Sequence, residues 1–488
     1  MDKSLPAMIT TFSSKPRRGP LAALLGALML SGCASFSPDG GMSVVATVAS
    51  ETINKDVVSI RTVDDAERAR SAVQALLRRS LTVDTAVQTA LLSNRGLQAA
   101  YNELALAEAE FVEESLPPNP TFAISRITGN GALEIERQVV GDILALATLP
   151  FRSEIARQRF HKAQLRAAEE TLRLAAEVRR AYYRAVAANE LVGLLTDAKS
   201  TAEATAQLAL RLGETGSLNK LDQAREQAFY AETTAELATL RQHAATSREH
   251  LIRLLGLWDG EINFRLPRKL APLPRQPLSL PGIEVDAVTH RIDLQIARVE
   301  LGALAKSLNL TEATRFVTLL DVAGIGKKTQ DPEGPPFRER GFDIAFQIPI
   351  FDGGEVRVRQ ATATYNQAFN LLTEKAVNIR SQSRDAYRVY RSAYDIANHY
   401  QREVVPLRDI ISEEMKLRFS SMQVDVFALL TEARQRIAIL RAAIDAKREF
   451  WLAQSELKAV VNGGGGGGGE AQRPPRSSPT ALAGGAGH

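Results

Sequence analysis

An internal duplication constrains the fold of this 488-residue chain more than any other feature of its sequence. Residues 81–100 read LTVDTAVQTALLSNRGLQAA, and residues 283–297 read IEVDAVTHRIDLQIA. The two segments share a Val-Asp start, an Ala-Val pair, a Leu-Gln pair and a closing Ala, 197 to 202 residues apart. In each copy a helix is followed by a strand pair and two very long helices. We therefore predict one elongated protomer made of two similar halves, rather than the several domains that this length usually implies.

The N-terminal segment has the parts of a bacterial export signal. Lys15, Arg17 and Arg18 form a basic segment, Leu21–Leu30 is an apolar stretch of ten residues, and residues 30–33 read LSGC. This pattern resembles the lipobox of bacterial lipoproteins, so we expect residues 1–32 to be a signal peptide and the mature chain to begin at a lipidated Cys33. The alternative is a plain signal peptide or a membrane anchor with an incidental cysteine, but ten apolar residues are too few to span a bilayer.

Cys33 also carries information about the compartment. It is the only cysteine in the chain, so no intramolecular disulfide can form despite an oxidising environment. The next residue is Ala34, at a position where an inner-membrane retention signal usually has Asp. The sequence therefore favours a protein that is lipid-anchored in the cell outer membrane and has a long periplasmic extension.

Charge and hydropathy exclude two classes of protein. The formal net charge of the chain is +4, and loss of residues 1–32 removes one Asp, two Lys and two Arg, which leaves about +1. Such a balance does not indicate nucleic-acid binding. Beyond Cys33 there is no run of 18 apolar residues, so no transmembrane helix is expected. Any membrane-embedded part would then consist of β-strands closed into a barrel.

The first half, residues 81–282, is predicted from helix caps, turn residues and long stretches without Pro or Gly. Thr82 or Asp84 caps a first helix, which ends at about residue 115 before the Pro-rich segment 116–120. The later elements are strands at 121–127 and 133–149, a helix at 153–212 and a helix at 218–255. The longest helix would measure roughly 90 Å at about 1.5 Å per residue. Residues 33–80 are weakly patterned, and we interpret them as a tether with some helix around 66–79.

A Pro-rich connector, residues 267–281, leads to the second half, residues 283–461. This half repeats the order, with a helix at 284–311, strands at 316–325 and 342–350, a helix reaching about 420 and a helix at 424–461. The polar segment 327–340 is predicted to be a loop that faces water. Residues 462–488 are rich in Gly and Pro and have nothing to bury, so we expect a disordered tail.

The long helices are compatible with two kinds of structure. Alanines recur along the 153–212 helix, which permits close packing in the wall of a duct, but a solvated coiled coil with an Ala and Leu core would show the same pattern. The strands separate the two. Four strands per chain cannot close a barrel and would leave two edges unpaired in lipid. Two copies give eight strands, which enclose side chains, whereas the twelve strands of three copies leave a passage.

Several short motifs carry a resemblance to a known family over residues 81–461. They are Leu91-x-x-Asn94-x-x-Leu97, its counterpart Ala287-Val288-x-x-Arg291-x-Asp293-Leu294, IPIFDGG at 348–354, and the helix turns RLGETGSL at 211–218 and RFSSMQVDVF at 418–427. In this order and duplication they resemble the TolC family of outer-membrane efflux proteins. The resemblance implies fold class α+β, mainly α, in which long antiparallel helices form an α-barrel and four strands per protomer contribute to a trimeric twelve-stranded β-barrel. The lipobox, the first helix turn and the Pro-Asn-Pro after the first helix are most similar to the heavy-metal and cation efflux branch.

The chain also departs from the family pattern. Arg95 and Ile292 replace prolines that relatives commonly have, so helix kinks at these places are not assured. Residues 150–153 stand in place of a Phe-Asp-Gly-Gly turn. Ser420 lies where relatives often have Gly, and Lys220 where an acidic residue is frequent. The sequence therefore does not decide the conformation of the second helix turn, or whether a salt bridge forms near the first.

The resemblance also implies partners and candidate sites. A member would act as a homotrimer in outer-membrane lipid, together with a periplasmic adaptor protein and an inner-membrane pump, and without nucleic acid. The helix turns would contact the adaptor through Gly213, Gly216, Ser217, Ser420, Ser421 and Met422. A ring of acidic side chains where the turns converge would concentrate cations. Asp425 is the first candidate for this periplasmic gate, and Asp222 and Glu432 are weaker ones. Capping of the helix from Val426 is the alternative role of Asp425, and the two roles are compatible.

Nothing in the sequence indicates catalysis or a metal centre. The six histidines are scattered without the spacing of metal ligands, and there is no nucleophile elbow, phosphate loop or zinc-protease motif. His243 and His250 could share a helical face near Glu249, but a solvated face is the simpler interpretation. We therefore expect neither an enzyme nor a cofactor, apart from the covalent lipid on Cys33.

Two functions from different classes remain. One is the outer-membrane exit duct of a tripartite efflux system, which exports substrates from an inner-membrane pump to the exterior, metal cations among them. The other is a structural periplasmic coiled-coil lipoprotein without a pore. Strands that flank the longest helices favour the duct.

Replacement of Cys33 by Ala tests the lipoprotein interpretation. Because Cys33 is the only thiol and completes the lipobox, the variant should take up no palmitate and should not be cut by the lipoprotein signal peptidase. Radiolabelled palmitate should label the wild-type protein, whereas the variant should stay unlabelled and keep the mass of the unprocessed chain. An unlabelled wild-type protein would contradict the interpretation.

Overall fold

The structure is a computed structural model that describes residues 35–129, 132–331 and 334–463. The predicted signal peptide, Cys33 and the tail from residue 464 onward lie outside the described residues, so what was predicted for them stays a prediction. Among the described residues, no helix combines the length and the apolar character that crossing a bilayer requires.

The described residues form eleven α-helices and four strands. Their order is α1 (Met42–Ile53), α2 (Val63–Leu77), α3 (Val83–Ser93), α4 (Arg95–Ser115), β1 (Thr121–Gly129), β2 (Ala132–Asp142), α5 (Ile143–Glu214), α6 (Lys220–Leu255), α7 (Ile283–His290), α8 (Ile292–Ala313), β3 (Leu319–Gln330), β4 (Phe337–Gln347), α9 (Glu355–His399), α10 (Val405–Ser420) and α11 (Val426–Asn462). The succession from α3 to α6 recurs from α7 to α11, with one of its long helices divided into α9 and α10. The predicted duplication of elements is therefore present in the fold.

Contacts divide the chain into two compact units. The first contains Glu108–Arg157 and Leu310–Val356, and therefore all four strands. The second contains Asp39–Ala107, Gln158–Asn309 and the chain from Arg357, and therefore most of the helical residues. Each unit therefore contains segments from both sequence repeats. A repeat is a continuous stretch of the chain, whereas a unit is defined by which residues contact each other.

The first unit is organised around a four-stranded antiparallel sheet in the order β1-β2-β3-β4. The register is continuous across it: Ile124 pairs with Arg137, Arg137 with Gly326, and Gly326 with Arg340. Because no ladder contains an extra residue, side chains alternate regularly between the two faces of the whole sheet. Each of the outer strands, β1 and β4, pairs on one side only within the described residues.

Both repeats begin with a helix that is broken near its middle, where the sequence predicted one helix. Asn94 between α3 and α4 has ψ 116°, and Arg291 between α7 and α8 has ψ 124°. The Asn94 side chain accepts a hydrogen bond from the Leu97 amide at 3.0 Å and donates one to the Leu254 carbonyl at 2.8 Å. It therefore starts α4 and also binds a free carbonyl at the end of α6. The helices are therefore broken at both places, although Arg95 and Ile292 stand where relatives commonly have proline.

A glycine at the end of each long-helix pair packs against each break. Gly256 follows α6 with φ +69°, and Gly463 follows α11 with φ +89°. A Cβ on Gly256 would lie 2.7 Å from the Ser93 carbonyl oxygen, and one on Gly463 would lie 2.8 Å from the Ile292 amide nitrogen. Both positions therefore require glycine for two reasons. The backbone is left-handed, and the broken helix approaches too closely to leave room for a Cβ.

The second break is held by a buried charged pair. Arg291 donates to both carboxylate oxygens of Asp293, at 3.0 and 2.8 Å, and to the amide oxygen of Gln382 in α9 at 2.9 Å. Lys375 of α9 lies 3.9 Å from the same carboxylate. Burial raises the pKa of the neighbouring Glu169, and the Asp293 charge raises it further. The pair therefore links the start of the second repeat to α9.

Small side chains form much of the core of the second unit. Ala168, Ala175 and Ala181 of α5 are buried, as are Leu91 of α3 and Leu251 of α6. The alanines that recur in the sequence thus pack between helices, which the duct and the coiled coil both predict. The alanine pattern alone does not separate these two structures.

The Pro-rich connector has neither helix nor strand between Ile262 and Ile283, as its composition predicts. Its carbonyls accept hydrogen bonds from side chains of the second repeat. Lys447 donates to Leu270 at 2.9 Å, Trp451 donates to Ala271 at 3.1 Å, and Tyr394 donates to Arg275 at 3.0 Å, each through its side-chain donor. These bonds fix a segment that has few amide donors of its own.

The prediction that the second strand extends to residue 149 is wrong. β2 ends at Asp142, whose carboxylate accepts a hydrogen bond from the Ala145 amide at 2.8 Å. This contact caps a helix at once, so α5 begins at Ile143 and contains Pro150 in its third turn. Residues 150–153 therefore lie inside a helix and form no turn.

The predicted loop at 327–340 is also too long. β3 reaches Gln330 and β4 begins at Phe337, because Lys327 binds Glu134 of β2 at 2.7 Å and its backbone pairs with Glu339. Polar composition suggested a loop, whereas charge pairing across the strands extends the sheet.

The helix predicted to continue to residue 420 is interrupted by a π-helical segment, Tyr400–Val404. Pro406 follows it in the first turn of α10. Proline has no amide hydrogen to donate within a helix. The Val405 amide just before it donates to the Tyr400 carbonyl, five residues earlier, which is the π-helical pattern.

Substitution of Arg291 tests the buried pair. Arg291→Ala leaves the Asp293 carboxylate buried without its partner, so the free energy of unfolding should fall by about 3–5 kcal/mol. Thermal unfolding followed by helical circular dichroism measures the effect. The double variant Arg291→Met with Asp293→Leu removes both charges and should recover most of the loss. A single variant as stable as the wild type would contradict the assigned role.

Candidate functional site

The two faces of the sheet carry different side chains. One of them, the apolar–basic face, contains Phe122, Ile124, Phe342 and Phe346, each more than half exposed. Its charged members in the described strands are all basic: Arg126, Arg137, Lys328, Arg338 and Arg340. A sheet surface this apolar is unusual against water and typical of contact with another apolar phase.

The opposite face, the acidic face, has the reverse charge. Its charged members in the described strands are Glu134, Glu136, Asp142, Asp321, Glu339 and Asp343, with Lys327 as the one cation. Six carboxylates and one ammonium group give a formal charge of −5 per chain. Lys327 is bound by Glu134, so most of the carboxylates stay without a cation of this face. Such a surface attracts cations and repels anions.

The sequence analysis missed this segregation of charge. Part of it falls in residues 327–340, which were interpreted as a loop, so alternation was not followed there. The signal is nevertheless present, since Lys328, Arg338 and Arg340 have even numbers whereas Glu339 and Asp343 have odd ones. Alternation with period two identifies the faces once the strand is recognised.

The two helix turns have the same backbone conformation. Gly216 between α5 and α6 has φ +73°, and Met422 between α10 and α11 has φ +57°. The Gly216 amide donates to the Gly213 carbonyl at 3.1 Å, and the Met422 amide donates to the Phe419 carbonyl at 3.0 Å. Met422 is thus the counterpart of Gly216, and its left-handed backbone costs about 1–2 kcal/mol in a residue with a side chain. Its side chain is 94% exposed.

The other residues expected at the adaptor surface lie in or beside these turns. Gly213 is in the last turn of α5, and Ser217 is exposed in the first helix turn. Ser420 ends α10, so it is not the residue with the left-handed backbone. Ser421 donates its hydroxyl to the Leu417 carbonyl at 3.0 Å and thereby caps α10.

The first two gate candidates both stabilise helix starts. Asp425 is the N-cap of α11, where its exposed carboxylate accepts from the Ala428 amide at 2.8 Å. Asp222 lies in the first turn of α6, accepts from the Asn219 side chain at 2.7 Å and binds Arg225 at 2.9 Å. The alternative role of Asp425 as a cap is therefore present, and its charge remains exposed. Its role in a gate stays a prediction.

The third gate candidate belongs to a set of buried ion pairs. Glu432 is 7% exposed and binds Arg408 of α10 at 2.8 Å. Its counterpart in the first repeat is Glu226, which is 4% exposed and binds Arg434 of α11 at 2.8 Å. Each Glu follows the N-cap of its helix by seven residues. The sequence analysis overlooked Glu226, although this shared spacing was available as a signal.

No group of three or more His, Cys, Asp or Glu side chains within the described ranges is arranged to hold a metal ion. His243 and His250 are both exposed on α6.

No protein-family model matches the chain. Among curated proteins, it is 23% identical over 240 residues to nodulation protein T of Rhizobium leguminosarum bv. viciae, and this match covers 48% of the chain and 49% of that protein. The matched segment spans about half the length of this curated relative.

Solved outer-membrane channels have the same fold. The structure of CusC, described in terms of folding and transmembrane channel formation, has a TM-score of 0.64 at 18% identity and covers 78% of this chain and 92% of that one. The outer-membrane channel OprN has a TM-score of 0.64 at 17% identity, with 89% and 98% covered. The CmeC outer membrane channel of Campylobacter jejuni has a TM-score of 0.64 at 14% identity, with 86% and 92% covered. At these identities the likeness is one of fold, and the TolC-like architecture predicted from the sequence is confirmed at that level.

Proposed function

We propose that this chain is the outer-membrane exit duct of a tripartite efflux system and works as a homotrimer. The observation that carries the proposal is the four-stranded sheet, whose outer strands β1 and β4 each have a free edge among the described residues. In lipid, every unpaired N–H or C=O group costs several kcal/mol, so β1 of one copy must pair with β4 of the next. Three copies close a barrel of twelve strands, which leaves a passage.

The two faces of the sheet give this barrel an orientation. Apolar side chains such as Phe122, Ile124 and Phe342 would face lipid, and the acidic face would line the passage. The reverse arrangement would turn the acidic face toward hydrocarbon, where a charged side chain costs about 2.5–3.5 kcal/mol at the bilayer centre. The cations of the apolar–basic face lie toward the hairpin turns, away from its most apolar part. The side-chain distribution therefore supports one way of closing the sheet.

The charge of the acidic face bears on the cargo. A passage lined by an excess of carboxylates raises the local concentration of cations and opposes anions. Cationic substrates, metal cations among them, are therefore the class of cargo that the proposal favours. The choice of a particular substrate belongs to the pump that delivers it.

The helix turns are the proposed contact with a periplasmic adaptor. Both turns contain small exposed residues, Gly216 and Ser217 in the first and Ser421 in the second, and Met422 adds an exposed flexible apolar side chain. Methionine adapts to irregular partner surfaces. Cys33 would attach the chain to the membrane through lipid, in addition to the barrel.

The second candidate function, a structural periplasmic lipoprotein without a pore, accounts for the long helices only. It leaves the apolar–basic face without a partner, although Ile124 is 75% and Phe342 78% exposed. The likeness to outer-membrane channels such as OprN also supports the duct.

A planar bilayer experiment tests the proposal. The purified protein should have the mass of a trimer in detergent and should conduct ions with a preference for cations. Asp321→Asn combined with Asp343→Asn removes two acidic-face charges from every copy and should lower the cation-to-anion permeability ratio severalfold. The matched control is Arg338→Gln, which changes a charge on the opposite face and should leave the ratio unchanged. A monomeric or non-conducting protein would favour the structural lipoprotein.

A pair of substitutions at Asp425 separates the gate from the cap. Asp425→Asn keeps a capping oxygen, whereas Asp425→Ala removes it and should lower helix stability by about 1 kcal/mol. If Asp425 contributes to a ring of charge at the gate, both variants should conduct with reduced cation selectivity. Thermal unfolding and single-channel reversal potentials measure the two effects. Unchanged selectivity in both trimeric variants would leave Asp425 as a cap alone.

A further inference from the structure

The cations of the apolar–basic face are concentrated on two adjacent rungs of the sheet, where a rung is the set of residues that pair across its four strands. The arginine–glycine rung is Ile124, Arg137, Gly326 and Arg340, and the next rung toward the hairpin turns is Arg126, Ile135, Lys328 and Arg338. Strands lie about 4.8 Å apart, and rungs of one face are separated by about 7 Å. Five positive charges therefore occupy a patch roughly 15 Å by 7 Å.

Among the described strand residues, this patch has no acidic partner on its own face. Lys328 pairs directly with Arg338, which places like charges opposite each other at an energetic cost. The side chains of Arg126, Arg137, Arg338 and Arg340 make no ion pair or hydrogen bond within the described residues. The carboxylates of the sheet lie on the acidic face, so they do not neutralise the patch. An external anion would remove the repulsion.

Gly326 leaves an open space in the centre of the patch. It lies between Arg137 and Arg340 on the middle of three adjacent strands. A Cβ built on Gly326 would meet no atom within 4 Å, and its backbone is not left-handed. Neither packing nor conformation thus requires glycine here. Its effect is a depression about 10 Å wide between the two arginine-bearing strands, enough for a phosphate group.

The depression continues into the apolar part of the face. Gly324, two residues earlier on β3, lies between Val139 and Phe342 in the neighbouring rung. A Cβ on Gly324 would likewise meet no atom within 4 Å. The groove over the two glycines is therefore apolar at one end and strongly basic at the other, which matches an amphiphile with an anionic headgroup.

We propose that this groove binds a phosphorylated lipid of the outer leaflet, an inference that rests on the proposed membrane orientation. A headgroup phosphate sits over Gly326 between the guanidinium groups of Arg137 and Arg340, with Lys328 beside it. An acyl chain runs over Gly324 between Val139 and Phe342. Guanidinium groups bind phosphate oxygens in pairs, and the cations lie on the side of the apolar rungs nearer the hairpin turns, where headgroups would meet the sheet.

Native mass spectrometry of the purified full-length protein in nonionic detergent tests the proposal. The probe is hexa-acylated lipid A with both phosphates, and the comparison is the same lipid with its phosphates removed. Arg340→Gln should weaken binding of the phosphorylated lipid about fivefold, and Arg137→Gln with Arg340→Gln about thirtyfold, since each membrane-surface cation contributes roughly 1 kcal/mol. Gly326→Val should fill the depression and weaken binding without changing charge.

The matched control is Lys327→Gln, which removes one positive charge from the same hairpin on the acidic face and should not affect lipid binding. Equal binding of the dephosphorylated lipid, equal loss in Lys327→Gln, or undiminished binding in the double variant would overturn the proposal. Displacement of the lipid by millimolar inorganic phosphate would also overturn it, because a free anion would then be the ligand.

Conduction of the same samples in planar bilayers keeps this inference apart from the proposed function. The double variant should conduct like the wild type, since its arginines lie away from the acidic face. A wild-type protein that conducts but shows no preference for the phosphorylated lipid refutes the lipid site alone. A protein that does not conduct refutes the duct.

Discussion

Backbone hydrogen bonding at the edges of the sheet is the constraint on which the proposed architecture depends. In the part of the chain that the structure describes, β1 and β4 each have one unpaired side, and side chains cannot replace the missing backbone hydrogen bonds in hydrocarbon. In the proposed trimer, pairing between copies would satisfy both edges with the same contact, repeated around an axis. The regular register of the four strands matters for this reason, since an extra residue would turn part of each face toward the wrong phase.

Opposite charge gives this sheet two chemically different faces. Alternation places Lys327 on one face and the next residue, Lys328, on the other. In the same way Glu339 and Arg340, which follow each other in the chain, lie on opposite faces. The acidic face suits a passage for cations, and the apolar–basic face suits a lipid with an anionic headgroup. Both surfaces follow from the same period of two, so a shift of register would abolish them together.

The helical unit shows how two repeats reach one geometry with different residues. The first break is started by the Asn94 side chain, and the second is held by Arg291 and Asp293. Gly256 and Gly463 supply the close approach in both. At the turns, Met422 of the second repeat has the position of Gly216 in the first and the same left-handed backbone conformation. Hydrogen bonds and packing, rather than the residue types alone, preserve the duplicated form.

The sequence by itself determined the duplication, the order of helices and strands and the irregular connector, because local propensity and turn signals act over a few residues. It offered capping as one of two roles for Asp425, and the hydrogen bond from the Ala428 amide shows the cap. It did not determine the end of β2, the length of the second hairpin or the breaks without proline. These depend on partners distant in the chain, such as Glu134 for Lys327 and Leu254 for Asn94. Only the tertiary structure decided which charges share a face, because the pairing of strands, and not their composition, brings Arg137 beside Gly326 and Arg340.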